Sequence, residues 1–420
     1  MNYSKSIIQK NYNTFFKYIL CLIPIGLISG PFVPDLLVSF SALFFLIFIL
    51  KNNNFNYLYN IPFFFFLFFY IIFLLLSLES DNISLSLESS LFYFRIGLFS
   101  CFIWYLIDYD KSVLKNFYYS LILCFSVLVF DGYYQFFIGE NIFGFKLDGV
   151  RVSSFFGDEL IMGSYLSRLF PLLFALFLIK KKNKFETYFI GLLFVLVDIL
   201  IYLSGERTSF FFLNLSTIFI IILIKEYQKF RLATFVLAII LIAFISVNKT
   251  ELTDRMFKIP AQNMGLVNNY KETTIFTPIH DSHLKTAFNM FKDKPIFGHG
   301  PKMFRVKCSD SKYSQGKHPC STHPHNFYIQ LLAETGVVGF LFLFIIFIYV
   351  VYISLKQFKS ILFKKKRPLS DYQVALLAGI LITVWPFSPN GNFFNNWLMI
   401  IYSLPVGFYL QSVYSKKAII

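Results

Sequence analysis

Apolar runs long enough to cross a bilayer recur along this chain, near residues 16–31, 33–50, 61–78, 90–107, 114–137, 159–179, 187–203, 208–224, 232–247, 327–354, 372–388 and 396–413. About 20 helical residues span the ~30 Å hydrocarbon core. Inside that core a backbone satisfies its own polar groups only as a helix or a closed barrel. Runs of this length predict an all-α polytopic membrane protein of about 12 transmembrane helices. With 56% hydrophobic and 21% aromatic residues, the chain carries more apolar bulk than one water-soluble core can bury. Pro24, Gly26, Gly30, Pro31 and Pro34 crowd the junction of the first two runs, which reads as two spans or as one broken hairpin. The first apolar run leads on into further spans instead of ending at a small-residue cleavage site, so the N-terminus is expected to stay with the protein.

The net charge of +15 sits largely in short Lys/Arg clusters between the runs, such as 180–184 and 364–367. That pattern encodes topology and gives no support for nucleic-acid binding. Counted from a cytoplasmic N-terminus, Lys51, Lys111, Lys115, Lys225, Lys229, Arg231, Lys356, Lys359, Lys416, Lys417 and both clusters fall on the cytoplasmic side. Both termini are then cytoplasmic, and the long polar stretch from about 248 to 326 lies outside. The chain divides into an N-terminal bundle of about nine helices (1–247), a large periplasmic loop (248–326) and about three C-terminal helices (327–420).

All six histidines, His280, His283, His299, His318, His323 and His325, fall in that loop. Scattered packing residues would not segregate so. The loop is also basic, with Lys271, Lys285, Lys292, Lys294, Lys302, Arg305, Lys307, Lys312 and Lys317 outnumbering its acids. Cations beside a membrane attract anionic head groups or diphosphates, although individually they also read as a solvated face. Two arginines stand at the membrane edge: Arg207 in LSGERTSFFFL and Arg151 in GVRVSSFFGDELIMGSYLSRLFPLL. Guanidinium forks match phosphate oxygens, so the pair suits a diphosphate. The alternative is that each pairs with a nearby carboxylate, such as Glu206 or Asp158.

HNFYIQLLAETGVVG, beginning at His325, resembles the signature of the O-antigen ligase and polymerase superfamily: a His-Asn pair, a spacer, then Gly336 and Gly339. FKDKPIFGHGPKMF (291–304) resembles a second segment of that superfamily, and the Arg151 and Arg207 segments resemble its two arginine-bearing ones. One departure is His283, which stands where many relatives carry an arginine. The resemblance implies a membrane glycosyltransferase of type C-like fold in a bacterial inner membrane. It would be a metal-independent, inverting enzyme without cofactor, moving a glycan from an undecaprenyl-diphosphate carrier to a lipid A-core sugar hydroxyl among membrane lipids. His325 would take the hydroxyl proton. Arg151 and Arg207 would neutralise the leaving diphosphate. Asn326 and Glu334 read as orienting groups or as interfacial polarity, and His318 and His323 as bystanders.

Cys308 and Cys320 could ligate zinc with His318, His323 and His325, but an oxidising compartment favours a disulfide between them. Cys21, Cys101 and Cys124 read as apolar fillers within spans. A polymerase or a protein O-oligosaccharyltransferase would share the motif and differ in acceptor. A transporter would mark itself by mid-span ionisable groups, for which Asp131 and Asp198 are the candidates, or by inverted repeats, of which none is visible. A silent glycan-binding module would tolerate loss of His325. The Asn/Thr-rich 268–278 stretch suggests a flap over the site.

Overall fold

A computed structural model of the chain describes residues 2–180, 183–266, 274 and 276–415. Lys181, Lys182, Lys271, Lys416, Lys417 and most of the 268–278 stretch lie outside the described residues. The described residues form helices α1 (Asn2–Ile28), α2 (Phe32–Asn52), α3 (Ile61–Leu78), α4 (Ile83–Ser90), α5 (Phe94–Tyr109), α6 (Ser112–Ile138), α7 (Met162–Ile179), α8 (Lys184–Leu203), α9 (Arg207–Leu223) and α10 (Gln228–Asn248). Short α11 (Thr250–Thr253), α12 (Ile259–Asn263), α13 (Pro278–Asp293) and α14 (Phe304–Lys307) follow. The chain closes with α15 (Phe327–Leu362), α16 (Asp371–Thr383) and α17 (Asn396–Tyr414). Among the described residues two isolated bridges, Glu140–Lys146 and Asp148–Arg151, are the only β pairing.

This is an all-α polytopic membrane protein. Among the described residues nine helical stretches are long and apolar enough to cross a membrane, with α4 and α5 counted as one, and Tyr12–Ile28, Arg207–Leu223 and Asp371–Thr383 are shorter apolar helices. The Pro/Gly-rich junction of the first two runs resolves into two full helices separated by Ser29–Pro31. The run expected at 372–388 ends as a helix at Thr383, and residues 384–395 form a connection.

Burial follows composition. Met162–Leu178 of α7 are buried on every side, and Asp371–Ile382 of α16 on nearly every side, so these two helices pack together at the centre. By contrast α2, α3 and α10 bury only a stripe each, and their outward Phe, Leu and Ile side chains make the lipid face.

Asp198 of α8 and Arg231 of α10 form a buried ion pair. Asp198 and Arg231 are 1% and 0% exposed, with Arg231 donating to both carboxylate oxygens at 2.8 and 3.1 Å. Thr217 accepts from the same guanidinium at 2.7 Å, and the rings of Phe170, Phe194 and Phe235 surround it. Asp131 accepts from the Ser154 hydroxyl at 2.5 Å and the Ile142 N–H at 3.0 Å. Both carboxylates named as transport candidates are thus engaged in structural contacts.

Candidate active site at one end of the bundle

The site is assembled where three connections meet: 139–161, 204–206 with α11–α13, and 299–326 with 384–395. Gln135 near the end of α6 fixes the first of them. Its side-chain carbonyl accepts from the N–H groups of Ser153 and Ser154 at 2.9 and 2.7 Å, and its amide donates to the Phe145 carbonyl at 3.0 Å. The Val152 N–H donates to the Leu203 carbonyl at 3.1 Å, which lays Arg151 against the α8–α9 turn.

At that turn Gly205 adopts φ +66°, and a Cβ there would come within 2.9 Å of the Arg151 side chain and 3.0 Å of Arg255. Arg151 donates to the Ser204 carbonyl at 3.1 Å, and Arg255 to the Gly205 carbonyl at 3.0 Å. Arg207, the first residue of α9, lies within Coulombic reach of both. Burial and the Arg255 charge push the Arg151 guanidinium below its ordinary range. Arg207 is half-buried, and among the described residues it has no ion-pair or hydrogen-bond partner.

The pairing of these arginines with Glu206 or Asp158 is not what the structure shows. Glu206 turns away and accepts from the N–H groups of Gly163 and Ser164 at the start of α7, at 2.6 and 2.9 Å, and from the Ser209 hydroxyl at 2.8 Å. A carboxylate on the orphan donors of a helix start is a well-matched contact. Burial raises its pKa to about 7 against those donors and the Arg151 and Arg168 charges. The one carboxylate paired with Arg151 is Asp148, at 4.0 Å and 65% exposed. Three cations therefore face one mouth with little countercharge.

Four of the six histidines converge beside them. Ring centroids lie 4.1 Å apart for His323–His325, 4.7 Å for His280–His325, 5.3 Å for His283–His325 and 6.4 Å for His280–His283. Burial first, then the neighbouring rings of His323, His280 and His283, pushes His325 down to about 3. Burial likewise pushes His323 down to about 4. His280 is lowered by burial, by His283 and by Arg207, so it feels both the other rings and the arginines. A neutral imidazole is the form that can accept a proton. His280 Nδ1, His283 Nδ1 and His323 Nε2 are buried with no hydrogen-bond partner. The other two histidines stand apart: His299 bonds the Met290 carbonyl at 3.1 Å inside a small core, and His318 is exposed. His323, read from sequence as a bystander, is the ring closest to His325.

His325 holds φ +60°, a left-handed conformation that costs a non-glycine residue about 1–3 kcal/mol and clusters at functional positions. Its surroundings impose it. Its carbonyl accepts from the Asn390 N–H at 2.8 Å, and its Nε2 lies 3.3 Å from the Ser321 hydroxyl. Asn326 caps α15, accepting from the N–H groups of Tyr328 and Ile329 at 3.0 and 3.1 Å, while its amide donates to the Pro386 and Ser388 carbonyls at 2.8 and 3.2 Å. Cys308 and Cys320 form a disulfide that closes the loop between them.

The glycine signature has a packing cause. Gly336 breaks α15 with φ +64°, and a Cβ there would run into the Ile296 carbonyl. Gly298, at φ +67°, lies against the Glu334–Thr335 peptide in the same way. At the break the Val337 N–H donates to the Pro295 carbonyl at 2.9 Å, and the Gly300 N–H to the Glu334 carbonyl at 2.7 Å. Gly339 leaves room for the Thr335 and Phe73 side chains. The buried Glu334 side chain accepts from the Phe304 N–H at 3.1 Å and from Gln330 at 3.0 Å, so Glu334 and Asn326 are internal fasteners instead of interfacial polarity.

Sequence reading missed Arg168 and Arg255, and named Arg305 only as one of the loop's cations. Arg168 is buried in α7, donating to Tyr402 at 3.1 Å, Ser164 at 2.6 Å and Asn390 at 3.4 Å. Its position inside an apolar run was itself a signal. Arg255 reaches the site only because residues 250–263 are helical, and Arg305 has a buried Nε without a partner. Among the described residues no group of three His, Cys, Asp or Glu side chains has metal-holding geometry.

Helices long and apolar enough to cross a membrane, with arginines of little countercharge and four clustered imidazoles gathered at one end, define a polytopic membrane protein. A family model described as O-antigen ligase matches residues 190–344, from α8 into α15. That stretch contains Arg207, Arg255, His325, Gly336 and Gly339; Arg151, Arg168 and Asn390 lie outside it. Comparison with curated proteins gave no match.

Proposed function

We propose that this chain is an O-antigen ligase-like inverting glycosyltransferase. It moves a glycan from undecaprenyl diphosphate to a lipid A-core sugar hydroxyl at the periplasmic face of a bacterial inner membrane, with both termini cytoplasmic. The observation that carries this reading is the juxtaposition of unpaired Arg207, with Arg151 and Arg255, and the neutral ring of His325.

A diphosphate at the three arginines meets charge that has little countercharge in the fold, the exposed Asp148 at 4.0 Å from Arg151, so its departure develops charge where donors already stand. Its arrival also places anions beside the imidazoles, which favours the protonated ring and raises the basicity of His325 as the acceptor binds. His325 takes the hydroxyl proton, and the oxygen attacks the anomeric carbon from the face opposite the diphosphate. Charge matched by arginines needs no metal ion.

The test follows transfer from a undecaprenyl-diphosphate glycan to purified lipid A-core in detergent, with a chelator present. Wild type is expected to transfer, and His325→Ala and Arg207→Ala to lose at least about 100-fold in rate at unchanged protein level. Chain lengthening without acceptor labelling would replace ligase by polymerase. Undiminished transfer by His325→Ala would overturn the assigned base.

A further inference from the structure

His280 is the ring that connects the two halves of the site. It lies 4.7 Å from the His325 ring, tilted 37° to it, and within Coulombic reach of Arg207. Its Nδ1 is buried and unpartnered, while Asp281 beside it in α13 is engaged with Lys285. Two rings with centroids this far apart can bring a nitrogen of each within hydrogen-bond reach of about 3 Å. His283 is 3% exposed, sits edge-on to Phe304 and bonds the Cys320 backbone, which holds its ring against His280 and His325.

Resting on the glycosyl-transfer reading above, we infer that His280 is a proton relay: the proton His325 takes from the acceptor hydroxyl passes through His280 to the departing diphosphate. The acceptor O–H bond breaks as the new C–O bond forms at the anomeric carbon. The old anomeric C–O bond breaks, and its electron pair leaves with the phosphate oxygen. His325 passes a proton from its second nitrogen to His280, and His280 gives one to that oxygen. The sum moves one proton from nucleophile to leaving group, and no co-reactant enters. The relay also returns both rings to the neutral state, which four crowded imidazoles beside three arginines require before another turnover.

The experiment measures kcat and the donor KM of full-length His280→Ala, His280→Gln and His325→Ala in detergent, with undecaprenyl-diphosphate glycan and lipid A-core, with and without added imidazole. A relay predicts that kcat of both His280 variants falls about 10–100-fold while donor KM stays within about two-fold of wild type. Imidazole diffusing into the vacated space restores much of kcat in His280→Ala. Unchanged thermal unfolding and an intact disulfide certify the fold. A raised KM with kcat retained would make His280 a diphosphate grip and overturn the relay, as would a kcat loss that His280→Gln repairs and imidazole does not. If His325→Ala is inactive while His280→Ala equals wild type, the relay alone fails. If His325→Ala stays active, the assigned base fails and the relay with it.

Discussion

The Asn390 N–H donates to the His325 carbonyl at 2.8 Å, while the Asn390 side chain accepts from Arg168 at 3.4 Å. A residue between the last two helices thus ties the strained histidine to a buried arginine of the central helix. Asn390→Pro removes the donor and leaves a backbone carbonyl unpaired, a loss of about 1–3 kcal/mol. Asn390→Ala keeps the N–H and is expected to cost about 1 kcal/mol or less. Thermal unfolding and transfer rate, measured on both, should rank Pro well below Ala; equal behaviour would show that the contact does not position His325.

Gly336 and Gly298 face each other's backbone across the break in α15, both at positive φ. Alanine at either adds left-handed strain of about 1–2 kcal/mol and a collision with backbone that cannot swing aside. Gly336→Ala should lower the unfolding midpoint and slow transfer together. Gly30→Ala, where a Cβ would meet nothing within 4 Å, carries the strain without the collision and is expected to be the milder change. Equal losses in the two variants would refute the packing account.

Asp198→Ala strands a fully buried guanidinium, for which about 3–5 kcal/mol of destabilisation is expected. Replacing Asp198 and Arg231 together by apolar residues should recover most of it, because the uncompensated charge goes too. Detergent-solubilised yield and unfolding midpoint decide the point. A double variant as damaged as the single would show that the pair does more than balance charge.

His325 and His323 are held down to about 3 and about 4, against an ordinary 6.5. Between pH 6.5 and about 4 the unfolded chain binds protons that the folded one refuses. Stability from this cluster is therefore complete above about pH 6.5 and declines as the pH falls through that window. His323→Gln should flatten the dependence of unfolding midpoint on pH between 8 and 5. Parallel curves for variant and wild type would count against the cluster as the source.

Much of this was legible in the sequence because bilayer crossing is a one-dimensional constraint: apolar length alone marks the runs. The early helix end at Thr383 was not, since Trp385, Pro386 and Phe387 keep the run apolar after the backbone has left the helix. In the site, His325, Arg151 and Arg207 stood out by motif and by position at span edges. Arg255 and Arg305 did not, because their approach depends on how distant connections fold back. The alternative that Glu206 pairs with an arginine could not be settled from sequence, because proximity along the chain says nothing about the N–H groups of Gly163 and Ser164, 43 and 42 positions away, that engage it.

The break at Gly336 divides α15 into a nine-residue arm of about 13 Å and a shaft of about 40 Å. Because the arm begins immediately after His325 and Asn326, the height of the reacting ring above the hydrocarbon is set by where the shaft settles in the bilayer. A lipid-linked donor carries its diphosphate at a depth fixed by its own tail. On the proposed transfer reading the two heights are independently referenced to the same membrane, so hydrocarbon thickness becomes a kinetic variable, with an optimum at which the His325 ring and the diphosphate are level.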